Sequence, residues 1–461
     1  MRLVGLALVL LMLSGCVSGQ QAVSPTPTAS PLASPLASPS PEPSPSPITY
    51  GASQYRAMWV DAFNDGIKSR AQIAKLVADA RRANLNVLIV QVRKRGDAYF
   101  NRADEARALD IIGSRGFDPL SYLIELAHAS RPRIEVHAWL NTFFVGDTSG
   151  VYVKHGDWVN RTNDGVTGGY LDPAIPEVQA YTHKIFMDVA LNYDVDGVHM
   201  DFVRYPGVNW GYSAAALSLY RSETGASGVP APDDARWQAW RRDRVTAFVR
   251  DLHNDLQQKK PSVKLSGALI CFGGGPANLA NWWRTSAYSS VFQDWADWLI
   301  KGYLDFGVPM NYDSEWIGRE KTWFDGWLAF EKDSGFANRV VTGMGAFLNY
   351  PDDTLNEIRR VLAPSARGNR VLGVAIYSYA ATSVYGSYDF YTSPDLASGL
   401  PRQPYTGGIT TAAGLEARAQ MFNDSFMTLL SQAASYRDVQ LGVINTQPVF
   451  TQPAELPALP S

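Results

Sequence analysis

Residues 196–206 read Asp-Gly-Val-His-Met-Asp-Phe-Val-Arg-Tyr-Pro. In a strand, Gly197, His199 and Asp201 share one face while Val198 and Met200 share the other. The stretch lies between two runs with helical spacing, 177–191 and 236–258. In the second of these, Trp237, Trp240, Val245, Phe248, Leu252 and Leu256 recur three to five residues apart, mostly at three and four. A strand flanked by helices is the repeating unit of a parallel α/β fold.

Moving outward from this unit, the same alternation recurs. Short β-rich runs are predicted at 56–63, 86–92, 134–140, 197–203, 263–270, 306–312, 340–347 and 371–377. Helical patterns fall at 72–82, 119–129, 177–191, 236–258, 283–300, 321–332 and 353–362. Eight such units predict an α/β chain folded as a (β/α)8 barrel. A doubly wound open sheet is the other arrangement that alternates. No Gly-x-Gly-x-x-Gly follows the first strand, which removes the main support for a dinucleotide fold. Insertions after the third strand (145–170) and the fourth (206–235) fall on one rim, where barrels build their sites.

Outside the barrel the sequence changes character. Residues 3–13 are apolar and follow Arg2, with the length of a signal-peptide core and too few residues to span a bilayer. Leu13-Ser14-Gly15-Cys16 looks like a lipobox, so a signal peptide over 1–15 and lipidation of Cys16 are expected. That expectation places the protein outside the cytoplasm on a bacterial membrane. Several acyl chains on one cysteine hold where one does not. Residues 16–50 are dominated by Ser-Pro and Ala-Ser-Pro repeats and read as a spacer. The barrel is expected over 51–395. Residues 396–461 are expected to pack one helix, at 415–434, and then to fray in a Pro/Gln-rich end.

Composition excludes several functions. Lys+Arg totals 41 against 44 Asp+Glu, a charge of −3, so bulk electrostatics cannot hold a nucleic acid. Two cysteines support neither a disulfide scaffold nor a cysteine–zinc cluster, and no His-x-x-x-His spacing occurs. No metal and no cofactor is expected. The 13 Trp, 22 Tyr and 19 Phe are numerous enough either to fill a core or to line a groove for flat ligands. Trp139, Tyr205, Trp210, Tyr312, Trp316 and Tyr377 fall at or near the predicted mouth, whereas Trp237 and Trp240 suit helix packing.

Polar residues at the carboxyl ends of barrel strands are the candidates for chemistry. Asp201 is the foremost, with His199 two residues before it on the same face. Asp313 and Glu315 follow the sixth strand beside Asn311, Tyr312 and Trp316. Glycoside hydrolysis needs one carboxyl as acid and another as nucleophile or base. Asp201 with Asp313 or Glu315 would supply that pair. Asp61, Arg93, His137, Asn141, Arg204, Tyr205 and Tyr377 complete the set of candidate substrate contacts.

Five segments occur here in a family's order: Arg56–Val60, Val136–Asn141, Tyr170–Pro173, Asp196–Pro206 and Pro309–Tyr312. Together they resemble the bacterial glycosyl hydrolase-like family 10 proteins over roughly residues 55–390. The resemblance implies a TIM barrel and an extracytoplasmic, often lipid-anchored protein. It also implies action on peptidoglycan glycan strands stripped of their stem peptides, and it puts the family's strand-four aspartate on Asp201. Met310-Asn311-Tyr312-Asp313 is similar to the strand-six motif of family 18 chitinases, but Val203 stands where their catalytic glutamate would be. The α-amylase pattern, a basic residue two before an aspartate nucleophile, is closer to His199 and Asp201. The expected activity is therefore a glycosidase of the cell envelope acting on an N-acetylhexosamine polymer. A non-catalytic glycan-binding lipoprotein and a glycosidase of an exported polysaccharide are the alternatives. The expected partners are a polysaccharide and, through Cys16, a membrane, with the chain acting as a monomer.

Overall fold

A computed structural model of the chain describes residues 51–102, 104–387, 391 and 399–460. Cys16 and the spacer lie outside the described residues. Eight parallel strands close into a barrel: β1 (Tyr55–Val60), β2 (Val87–Arg93), β3 (Glu135–Asn141), β4 (Gly197–Asp201), β5 (Lys264–Ile270), β6 (Phe306–Asn311), β7 (Val341–Gly345) and β8 (Gly373–Tyr377). Each pairs with its sequence neighbours, and β1 pairs with β8 to complete the ring. The TIM-barrel class predicted from the strand count is the observed one.

Helices α1 (Arg70–Arg82), α2 (Pro119–Ala129), α3 (Pro176–Asn192), α4 (Ala235–Lys259), α5 (Trp295–Ile300), α6 (Gly318–Asp333) and α7 (Pro351–Leu362) follow successive strands. Their starts are chemically marked. Ser69, Asp118 and Asp234 each accept a backbone N–H from the first turn of α1, α2 and α4, and proline occupies the first turn of α2, α3 and α7. The helix predicted at 283–300 is broken. It appears as a 3-10 turn Leu279–Arg284, a single turn Ser286–Ser289 and then α5. Thr285 caps the second piece, and Phe292 has a φ of 58°, which no continuing helix accepts. The break lets Gln293 bridge β5, accepting from Ile270 N–H at 2.7 Å and donating to the Ala268 carbonyl at 3.1 Å.

The barrel interior is packed. Tyr55, Ala57, Trp59, Val87, Ile89, Trp139, Ala268, Phe306, Val308, Val341 and Ala375 form one apolar cluster inside the strands. Gly343 on β7 is required there, because a Cβ would come within 2.9 Å of the Trp59 ring and 2.5 Å of the Pro309 carbonyl.

The insertions after β3 and β4 sit on the same rim; bridges Phe144 to Tyr170 and Val159 to Leu171 close the first on itself, and Thr162 to Trp210 joins it to the second. Asp172 accepts from Ser213 Oγ at 2.7 Å and from Tyr205 Oη at 3.3 Å, joining the two loops by a buried carboxylate. Trp237 and Trp240 stack at 5.1 Å on α4 and pack with Tyr220 of the insertion, so they are helix packing as predicted.

The end of the chain differs from the prediction. Helix α8 (Ala412–Ser431) is followed by an antiparallel hairpin, β9 (Ala434–Asp438) and β10 (Gly442–Thr446). The last residues do not fray but run across the base of the barrel. Pro453 and Glu455 carbonyls accept from Gly51 and Gln54, the Ala454 carbonyl accepts from Asn86, and Leu456 and Leu459 pack on the interior cluster. The open lower end of a barrel exposes apolar side chains, and two leucines from the tail cover them.

Candidate active site

Asp201 is the last residue of β4 and is buried. Its Oδ1 accepts the backbone N–H of Phe202 at 2.6 Å. Phe202 holds a φ of 50°, uncommon for a residue with a bulky side chain, and this turn aims its N–H back at the carboxylate. Burial pushes the Asp201 carboxyl up to about 6, opposed by that N–H, by the nearby Arg204 charge and by Trp139. Trp139 Nε1 meets no acceptor at full hydrogen-bond geometry, yet lies close enough to favour the charged carboxylate.

One layer deeper, His199 is locked inside the barrel. Trp59 Nε1 donates to His199 Nε2 at 3.3 Å, and His199 Nδ1 meets Ser266 Oγ at 2.9 Å. An indole N–H can only donate, so Nε2 is the unprotonated nitrogen and Nδ1 carries the hydrogen. Burial, and then His137, push the His199 imidazole well below its usual range, which keeps it neutral. His199 thus supports the layer beneath Asp201.

Rings line the mouth on both sides of Asp201. On one side Tyr312 and Tyr377 stack at 5.5 Å, with Trp59, Trp139 and Phe347 edge-on to them. Neither tyrosine hydroxyl has a hydrogen-bond partner among the described residues. On the other side Phe202, Phe144 and Tyr170 pack within 5.1–6.0 Å, and Trp210 lies against Tyr170. The Arg204 guanidinium sits 5.2 Å over the Phe202 ring.

Asp313 follows β6 and is buried, with Oδ2 meeting no partner. Burial, helped by the Glu320 charge, raises its carboxyl to about 7. Its loop is held by Asn349, whose amide donates to the Asp313 carbonyl at 3.0 Å and to Glu357 Oε1 at 3.2 Å while accepting from Glu315 N–H at 2.7 Å. Asp61 is also buried and raised by burial, although Phe63 N–H, Asn64 N–H and the Asn64 amide all donate to its Oδ1.

Several residues predicted to touch a ligand are committed elsewhere. Both Glu315 oxygens are taken by Arg360 of α7, at 2.7 and 2.6 Å, with Lys321 of α6 at 3.7 Å. Neither is left to protonate a leaving group. Arg93 is fully buried in a bidentate pair with Glu105 and also donates to the Asn141 carbonyl. Asn141 itself bonds Gln91 and the Lys94 carbonyl. His137 lies deep in the barrel against Glu135 at 3.0 Å, Tyr205 is buried on Asp172, and Asn311 points to the Phe324 carbonyl behind β6. Trp316 donates to the Leu348 carbonyl and packs beside Tyr350. These residues build the walls rather than face the opening. Sequence reasoning missed Trp59, although it lies on β1 two residues before Asp61 and shares its parity, and missed Phe202, Ser266, Phe347 and Asn349, which carry no local signal.

The sequence and the fold have counterparts among known proteins. The profile of the glycosyl hydrolase-like 10 family matches residues 54–322, from β1 into the start of α6. Glycosyl hydrolase YngK of Bacillus subtilis (strain 168) is 27% identical over 272 residues, covering 53% of this chain and 49% of that protein. Glycosyl hydrolase DigH of Escherichia coli (strain K12) is 26% identical over 283 residues, covering 53% and 58%. The match therefore spans about half the length of these relatives. Among solved structures, the PgaB (BpsB) glycoside hydrolase domain from Bordetella bronchiseptica aligns with a TM-score of 0.54 at 15% identity, over 75% of this chain and 97% of that one. Alpha-L-fucosidase isoenzyme 2 from Paenibacillus thiaminolyticus aligns at 0.51 and 15% identity, over 83% and 51%. At that identity the two structures speak for the fold alone. With the profile covering more than half of the chain, and with Asp201 set at the end of the fourth strand of a closed barrel, this protein belongs to the glycosyl hydrolase-like 10 family.

Proposed function

We propose that the chain is a glycoside hydrolase of the bacterial cell envelope that cleaves an N-acetylhexosamine-containing glycan, peptidoglycan strands lacking stem peptides being the favoured substrate. Asp201 acts ionised, as nucleophile or base, and Asp313 acts protonated, as the acid. The observation that carries this reading is two buried carboxyls at the ends of β4 and β6, neither held by an ion pair among the described residues, which burial raises to about 6 and about 7. One carboxyl that ionises and another kept protonated near neutral pH are what acid–base cleavage of a glycosidic bond requires. The flanking rings offer flat apolar faces for sugar rings. Anchoring through Cys16 would keep the enzyme beside that polymer.

The test is digestion of amidase-treated glycan strands by the purified protein, with products identified by mass. Cleavage by the wild type and loss of at least about a thousandfold in kcat for Asp201→Asn are expected. Full activity in Asp201→Asn would remove Asp201 from the chemistry. Binding without cleavage on every glycan tried would make the protein a glycan receptor.

A further inference from the structure

Arg204 lowers the cost of charging Asp201, but most of its hydrogen-bonding capacity is unused among the described residues. It lies three residues after Asp201, beyond the end of β4, partly buried between the two insertions. A guanidinium has five N–H donors and no acceptor, and a partly buried one is normally met by a carboxylate or several carbonyls. Arg93 on β2 shows the usual solution in its bidentate grip on Glu105. Arg204 has no carboxylate within 4 Å among the described residues. Its hydrogen bond is a long one, 3.5 Å from Nη1 to the Tyr205 carbonyl, and its Nε is buried with no partner at all. The guanidinium carbon sits over the Phe202 ring, 5.2 Å from its centre. That ring packs against Phe144 and Tyr170, which places the guanidinium beside the aromatic wall of the mouth, where its charge also favours the ionised Asp201.

A fixed, flat, unpaired cation beside the reacting carboxyl is a receptor for an anion. We propose that Arg204 is a specificity residue that recognises a carboxylate carried by the sugar bound next to Asp201. The preferred ligand is thus an acidic glycan, and Arg204 would pair the substituent through the donors left open in this structure. This deepens the glycosidase reading and rests on it for the identity of the ligand as a sugar. It also gives stem-peptide removal a chemical meaning. Cleaving the amide that joins a peptide to the lactyl ether of a glycan exposes the carboxylate such a guanidinium would take.

The experiment compares two matched oligosaccharides with the purified full chain, one with free lactyl carboxylates and one with those groups converted to primary amides. Dissociation constants come from calorimetry, and kcat/KM from product analysis. The acid form should bind at least about tenfold more tightly, as expected of a charge-assisted bidentate contact. The ratio should fall towards one in Arg204→Met, recover partly in Arg204→Lys, and shrink for the wild type in high salt. Equal affinity of the wild type for acid and amide overturns the proposal, whether or not both are cleaved. So does a ratio that survives in Arg204→Met, or failure of both ligands to bind. A preference for the acid form with no cleavage of either ligand keeps the carboxylate receptor and removes the hydrolase reading instead. Should Arg204→Met fail to fold, the wild-type ratio and its salt dependence still decide.

Discussion

Asp201 and Asp313 are both deprived of water, but not equally. Asp201 keeps the Phe202 N–H and a nearby arginine, which hold it at about 6, whereas Asp313 has an unpartnered oxygen and an acidic neighbour, which take it to about 7. In the proposed roles the active form has Asp201 ionised and Asp313 protonated. Activity should rise as the pH climbs through about 6, because Asp201 must lose its proton. It should fall above about 7, where Asp313 loses the proton it must donate. A narrow bell in kcat/KM centred between these values is the expected profile. Asp313→Asn should abolish the alkaline limb and cost most on natural glycans, while aryl glycosides with good leaving groups should be largely spared. Equal losses on both substrates would take the acid role from Asp313. Residue chemistry of this kind was only half legible in the sequence. The carboxylates were visible, but the sequence could not distinguish Asp313 from Glu315, because the arginine that occupies Glu315 lies 45 residues further on, in another helix.

At the scale of elements, strand alternation carried the most information. The parity of Gly197, His199 and Asp201 on β4 foretold which side chains enter the barrel, and His199 does reach across it to Trp59 and Ser266. Parity sorts a strand into two faces but does not say how deep a residue lies. His137 and Asp201 sit on inward faces, yet the first is sealed in the interior beside Glu135 and the second stands at the mouth. The helix at 283–300 was misread for a similar reason. Its apolar residues have helical spacing, but Thr285 and the left-handed Phe292 obey local capping and a demand from β5 that Gln293 satisfies. One strand-level contact can be tested directly. Gly343→Ala would drive a methyl against the Trp59 ring and the Pro309 carbonyl, and neither can retreat from a packed interior. A loss of about 1–3 kcal/mol in urea unfolding is expected. Because Trp59 supports the tyrosine stack, a fall in activity should accompany it. An unchanged midpoint would show that the interior has slack.

For the whole molecule, the base of the barrel depends on a segment that sequence reading dismissed. Prolines at 448, 453, 457 and 460 suggested a loose end, but an extended chain needs no helix or sheet to place two leucines on an open apolar surface. Removing residues 447–461 should uncover that surface and leave the Gly51 and Gln54 N–H groups unpaired. The thermal midpoint should drop by about 5 °C in calorimetry, with kcat little changed because the site is at the other pole. A truncated protein melting with the full chain would mean that the tail contributes nothing to the base. This strap also gives the barrel a direction. It crosses where the chain enters β1, so residue 51 lies at the pole opposite Asp201. Fixing the protein to a bead or a surface through residue 51 therefore leaves the mouth free to meet a polymer too large to diffuse behind it.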